Sequence, residues 1–145
     1  MPQMSPSDLT SYLQQPLVTI LTLSRAGRGP IAAPVWYDYD GRVFRLSTSP
    51  SSMHGRLIAE HGRATLTMHS ERYDGATTDE RYATIEGSIA FTDEPLEPFI
   101  RQLLLRYRGA DMLETALEEL MPEVQAVGQR VALLTPVTMS GHAFP

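Results

Sequence analysis

Asp40-Gly41 separates two runs rich in β-branched and aromatic residues, Pro30–Tyr39 and Val43–Thr48. An Asp-Gly pair between such runs is the strongest short-range sign of a β-hairpin. Similar apolar runs recur with tight turns between them, and no alternation of strand and helix appears. A doubly wound parallel sheet is therefore disfavoured, and a small antiparallel barrel with helices outside it is expected.

Leu17–Ser24 reads as a strand, turned by Arg25–Gly29 into Pro30–Tyr39. Ser52 to His61 reads as a helix ended by Gly62, Ala64–His69 alternates as the next strand, and polar Arg72–Glu80 reads as a loop. Arg81–Phe91 is a long strand whose central Gly87 marks a bulge or bend. Leu96, Phe99, Ile100, Leu103, Leu104 and Tyr107 lie on one helix face, with Gly109 as the stop. Asp111 is the expected cap of a second helix carrying Leu113, Ala116, Leu117, Leu120 and Met121. Ser7-Asp8 caps a first helix that runs to Gln14 and stops at Pro16, and Pro136 breaks the last strand into Arg130–Thr135 and Val137–Met139. The fold class that results is mainly β with flanking helices, a six-stranded antiparallel barrel. Only the first few residues and the tail from Ser140 onward are expected to lack order.

At 145 residues the chain is expected to be a single domain, 1–145, with an ordered core over about 9–140. It contains no cysteine, which excludes disulfides, thiolate metal sites and cysteine nucleophiles. All 12 basic residues are arginine, so Schiff-base chemistry on lysine is excluded as well. The net charge of -5 and the scattered arginines argue against nucleic acid as a partner. No segment reaches the ~20 apolar residues of a membrane span and the start lacks a signal-peptide pattern, so no membrane is expected and the cytoplasm is the default location.

The segment Ser49–Arg56 carries the clearest chemical signal. The first N–H groups of a helix lack internal partners and carry partial positive charge, which favours an anion. Ser51, Ser52 and Thr48 add hydroxyls there, and His54 and Arg56 add positive charge. The plainer alternative is a serine that caps the helix. Trp36, Tyr37 and Tyr39 suit contact with a planar ring or ordinary strand packing. His54 and His61 share a helix face and His69 follows on the next strand, without a recognised ligand spacing, so no metal is assigned. Glu114, Glu118, Glu119 and Glu123 read as the solvated face of a helix. No serine has a nucleophile-elbow context.

Val18-Thr-Ile-Leu-Thr-Leu, Gly27-Arg-Gly-Pro, Ala33-Pro-Val-Trp-Tyr, Asp40-Gly41, Phe44–Thr48, Ile58–Arg63, Thr84-Ile-Glu-Gly87 and Arg106-Tyr107, taken in order, resemble the pyridoxamine 5'-phosphate oxidase-like, FMN-binding split-barrel family. The nearest branch is that of the actinobacterial flavin and deazaflavin (coenzyme F-420) oxidoreductases. The resemblance implies a homodimer of split barrels with cofactor sites at the subunit interface. It places Ala33, Pro34, Val35 and Trp36 beside the ring system. Ser47, Thr48, Ser51, Ser52, His54 and Arg56 fall toward the phosphate. Where the family usually carries arginine and lysine, this chain has Ser52 and His54. The implied activity is hydride transfer, by FMN or coenzyme F-420, to or from a small organic substrate, with no catalytic side chain assigned. A non-catalytic ligand-binding module on the same fold, or a haem-binding or haem-degrading relative, is the competing expectation.

Overall fold

The computed structural model describes residues 2–144. Its elements are α1 (Pro6–Leu13), β1 (Thr19–Arg25), β2 (Arg28–Val35), β3 (Asp38–Tyr39), β4 (Phe44–Thr48), α2 (Met53–His61) and β5 (Arg63–Tyr73). β6 (Thr78–Phe91), α3 (Leu96–Arg108), α4 (Leu113–Ala126) and β7 (Arg130–Phe144) complete the chain. The strands form one antiparallel sheet in the order β2-β1-β5-β6-β7-β4-β3.

The sheet has seven strands where six were expected, because Pro30–Tyr39 is not one strand. It pairs with β1 as far as Val35, leaves the ladder over Trp36 and Tyr37, and re-enters as β3 beside β4. The cause is local. The backbone N–H of Tyr37 donates to the Tyr107 hydroxyl at 3.1 Å, outside any strand partner. As a result the two edge strands are consecutive in sequence, and a covalent link through Trp36-Tyr37 spans the split where a closed barrel would have a ladder.

Four further expectations are corrected. Arg72–Glu80 is mostly strand: Tyr73 pairs with Thr78, and the turn is only 74–77, held by Asp74 Oδ1 accepting from the Ala76 and Thr77 N–H groups at 2.9 and 2.8 Å. The tail from Ser140 is ordered, because 140–144 pair with 80–84 of β6 and the N-terminal Met4 donates to Gly141 O at 2.8 Å. Pro136 does not break β7. It sits opposite Gly87 at the bulge, where the ladder shifts register and a missing N–H costs no regular bond. Asp111 is not a cap, since Met112 holds that place in the left-handed region at φ 61° with no side-chain bond. The bulge at Gly87 is as expected, and a Cβ there would lie 2.3 Å from Thr135 O. The cap of α1 is Ser5, two residues ahead of the expected Ser7, and its Oγ accepts from the Asp8 N–H at 3.2 Å with Pro6 in the first turn.

Two apolar clusters follow from this topology. The curled sheet encloses Leu21, Leu66, Ile85, Phe44, Leu46 and Leu134, closed at one end by Leu9, Tyr12 and Leu13 of α1. Outside it, α3 and α4 pack through Phe99, Ile100, Leu103, Leu104, Leu117 and Val124 onto Val131 of β7, with Trp36 against them. Tyr37 and Tyr39 go to the barrel core, while Trp36 goes to the helices. Burial pushes the Tyr37 phenol well above its usual range, so it stays protonated and donates to Leu13 O at 2.7 Å.

Candidate functional site

Arg106-Tyr107, near the end of α3, ties the helix layer to the barrel at the split. The Arg106 guanidinium donates to the carbonyls of Gln14 at 2.8 Å and Leu13 at 3.1 Å, and also bonds Gln15 O at 2.5 Å. These are carbonyls at the end of α1, so the charge also meets the negative end of that helix. The Tyr107 hydroxyl donates to Leu17 O at 2.6 Å and lies 3.2 Å from Tyr37 O. The Tyr107 ring stacks on the Trp36 indole with centroids 4.4 Å apart and planes 7° apart. One face of Trp36 is therefore covered from within the chain. The Arg108 guanidinium carbon lies 5.3 Å from the centroid of the same indole.

Next to this stack a cavity of about 270 Å3 opens between the end of β2, β4 and the two helices. Val35, Trp36 and Ser47 line its sheet side, and Ile100, Leu103, Leu104, Leu120 and Val124 line its helix side. Arg108 and Gln129 complete it. The Ser47 hydroxyl donates to Gln129 Oε1 at 2.8 Å. Of the residues assigned to a cofactor from sequence, the structure thus brings Val35, Trp36 and Ser47 to one cavity. Ala33 and Pro34, earlier in β2, do not line it. α3, α4 and Gln129 supply the remaining wall, and sequence reading missed them. The apolar stripe Leu96–Tyr107 was visible, but its identity as a cavity wall depends on which surface it packs against.

The predicted phosphate segment follows directly. Ser52 is the N-cap of α2: its Oγ accepts from the Gly55 N–H at 3.1 Å and donates to Ser49 O at 2.6 Å. Thr48 Oγ1 is 3.4 Å from Ser52 Oγ, and the Ser49 and Ser51 hydroxyls are 2.9 Å apart. The turn fits so closely over the helix start that a Cβ on Gly55 would lie 2.0 Å from Ser49 O. The first bond of the helix runs from Arg56 N–H to Ser52 O at 3.0 Å, so with Gly55 capped the helix itself leaves over the N–H groups of Met53 and His54. His54 Nε2 is shielded from solvent and has no hydrogen-bond partner. Arg56 is exposed. What stays open to an anion at this helix start is the leftover N–H groups and the Thr48 and Ser51 hydroxyls, since His54 Nε2 is closed to solvent and Ser52 is held by the cap and the caged turn.

The three histidines do not gather. His69 Nε2 lies 3.2 Å from Glu80 Oε1, a pairing across the strands that sequence reading did not foresee, and His61 Nε2 is 3.9 Å from Glu60. Among the described residues no group of three or more histidine, aspartate or glutamate side chains is placed to hold a metal. The acidic cluster on α4 is exposed at Glu114, Glu118, Glu119 and Glu123, with Glu114 paired to Arg101. Among the described residues no helix is long and apolar enough to cross a membrane.

No family profile matches the chain, and no curated protein matches it. Solved structures do. An F-420 reductase superposes with a TM-score of 0.67 at 20% identity, covering 89% of this chain and 93% of its own. A FAD-binding protein from Mesorhizobium loti gives 0.68 at 13% identity over 99% of this chain and 97% of its own. The FAD and haem binding protein from Mycobacterium smegmatis gives 0.67 at 18% identity over 97% of this chain and 72% of its own. The chain is similar to flavin and deazaflavin proteins in its fold, an open antiparallel sheet with flanking helices, and that fold is the split barrel that its sequence motifs resemble.

Proposed function

We propose that this protein is a homodimeric oxidoreductase that uses FMN or coenzyme F-420 to move a hydride to or from a small organic substrate. Two features support the reading: a cavity walled by Val35, Trp36 and Ser47, and the start of α2 at Ser52, where the helix leaves over the N–H groups of Met53 and His54. Such a cofactor supplies the hydride chemistry itself, while the protein supplies binding, orientation and exclusion of water. Thr48, Ser51, His54 and the Met53 N–H would hold the phosphate, with Arg56 adding charge from the first turn. Ala33, Pro34 and Val35 at the end of β2 would border the ring.

The proposal of a homodimer draws support from the outer face of the sheet. Val18, just ahead of β1, and Ile20 in β1 remain 48% and 38% exposed, and Val137 is 71% exposed on β7. Exposed aliphatic residues on the sheet give a two-fold copy apolar surface to cover.

Absorption and fluorescence titration of the purified protein with FMN, coenzyme F-420 and riboflavin tests the reading. FMN or the deazaflavin should bind, and replacing His54 and Arg56 together by alanine should weaken the phosphorylated flavin far more than riboflavin. Equal loss for both flavins would move these residues from recognition to folding. The occupied hydroxyl of Ser52 favours one competing reading, a ligand-binding module without flavin. Absence of binding by any of the three compounds would select it.

A further inference from the structure

The cavity between Trp36 and the two helices has an uneven chemistry. Its depth is apolar: Ile100, Leu103, Leu104 and Val124 are at most 6% exposed. Its polar side chains, by contrast, are weighted toward donors. Arg108 has no acceptor atom, and its guanidinium lies over the Trp36 ring. Gln129 Oε1 accepts from Ser47, and its amide NH2 adds two donors. A ligand that satisfied this lining would carry a planar apolar body and an acceptor, best of all an anion that a guanidinium can hold through two parallel bonds. The volume of about 270 Å3 lies at the small end of ligand pockets, enough for one or two rings and too small to enclose a whole flavin nucleotide.

We infer that this cavity is the seat of a second, smaller ligand, a one- or two-ring aromatic carboxylate, with Arg108 and Gln129 on the carboxylate and the ring among Trp36, Leu104 and Val124. As a statement that this ligand is the substrate, the inference rests on the oxidoreductase reading. As a statement of what the cavity binds, it stands apart from it. Arg108 is exposed at the end of α3, so a change there leaves the packed core untouched.

Trp36 is the only tryptophan in the chain, so its emission reports on this cavity alone. The full-length protein without added flavin is titrated with benzoate and with benzamide, its uncharged isostere, while that emission is followed. Benzoate should change it along a saturable curve and bind more tightly than benzamide. Arg108→Gln should weaken benzoate about tenfold and leave benzamide within about twofold, as expected for loss of one charge-assisted contact. Val124→Phe, which fills the cavity, should abolish both curves. Absence of binding in the unaltered protein, equal affinity for benzoate and benzamide, or a preference that survives Arg108→Gln overturns the inference. Repeating the titration in the presence of FMN and of coenzyme F-420 separates the two readings. Simple competition between flavin and benzoate would make the cavity the cofactor's own seat and overturn the second ligand, while leaving the flavin reading intact. Benzoate binding with no flavin binding would support the cavity assignment and remove the flavin.

Discussion

The indole of Trp36 and the phenol ring of Tyr107 stack 4.4 Å apart, and the hydroxyl of the same tyrosine accepts from the backbone N–H of the very next residue, Tyr37, at 3.1 Å. One side chain on α3 therefore sets both the side chain at the cavity and the backbone break that divides β2 from β3. It also donates to Leu17 O just ahead of β1. The split of the barrel and the wall of the candidate site share a single anchor.

Tyr107→Phe keeps the ring stack and removes the hydroxyl, leaving the Tyr37 N–H and the Leu17 carbonyl without that partner. The expected cost is about 1–3 kcal/mol in urea unfolding. Trp36 emission in the folded protein should stay close to that of the parent, because its covered face is retained. A large shift of that emission would show that the hydroxyl, and not the ring, positions the indole.

Arg106→Lys tests the clamp on α1. Three carbonyls of Leu13, Gln14 and Gln15 converge on one planar guanidinium, a geometry that an ammonium on a flexible stem cannot match. We expect a loss of about 1–2 kcal/mol. Hydrogen exchange should show α1 opening before the sheet, and uniform loss across the fold would argue against a local clamp.

The two positions where the family usually carries basic residues should respond differently. His54→Lys places a full charge beside the leftover N–H groups and leaves the cap intact, so FMN or coenzyme F-420 affinity should rise about tenfold for each ~1.4 kcal/mol gained. Ser52→Arg removes the hydroxyl that holds both Gly55 N–H and Ser49 O, and should cost about 1 kcal/mol of stability. If the double change lowers flavin affinity while the fold survives, another arginine holds the phosphate.

Asp40 governs the acid side of stability at the β3–β4 turn. Its carboxylate accepts from the Val43 N–H at 2.9 Å and the Arg42 N–H at 2.8 Å, and Arg45 lies 3.5 Å away; these hold its pKa below the usual carboxylate range. A depressed folded-state pKa gives stability that is complete above the unfolded value, about 3.9, and is lost as pH falls through the folded value. Asp40→Asn retains an acceptor oxygen but cannot titrate. The gap in stability between parent and variant should therefore be constant from neutral pH to about 5 and shrink below about 4. A gap that does not change with pH would rule out this origin.

Local chemistry written in consecutive residues was legible in the sequence. The Asp40-Gly41 hairpin, the α2 helix from Ser52 to the left-handed Gly62 and the bulge at Gly87 each depend on neighbours a few positions away, or on a backbone geometry that only certain residues adopt. The burial of alternate residues in β1 and β5 likewise follows from the period of a strand. The amphipathic stripe of α3 and the resemblance to split-barrel proteins were legible for the same reason, being patterns along the chain.

The rest required partners distant in sequence. Nothing near Trp36 announces that the strand ends there, because the group that takes the Tyr37 N–H is on Tyr107, 70 residues later. Pro136 reads as a breaker until Gly87 is found opposite it, and the tail from Ser140 reads as loose until β6 supplies its ladder. The site divides in the same way. The helix start at Ser52 was visible because capping is local, whereas the cavity of Trp36, Ser47, Leu104, Val124 and Gln129 exists only where β2, β4, α3 and α4 meet. Sequence determines local conformation through short-range sterics and hydrogen bonds. Which donor meets which acceptor, and which apolar faces leave a gap between them, is decided only when the whole chain has folded.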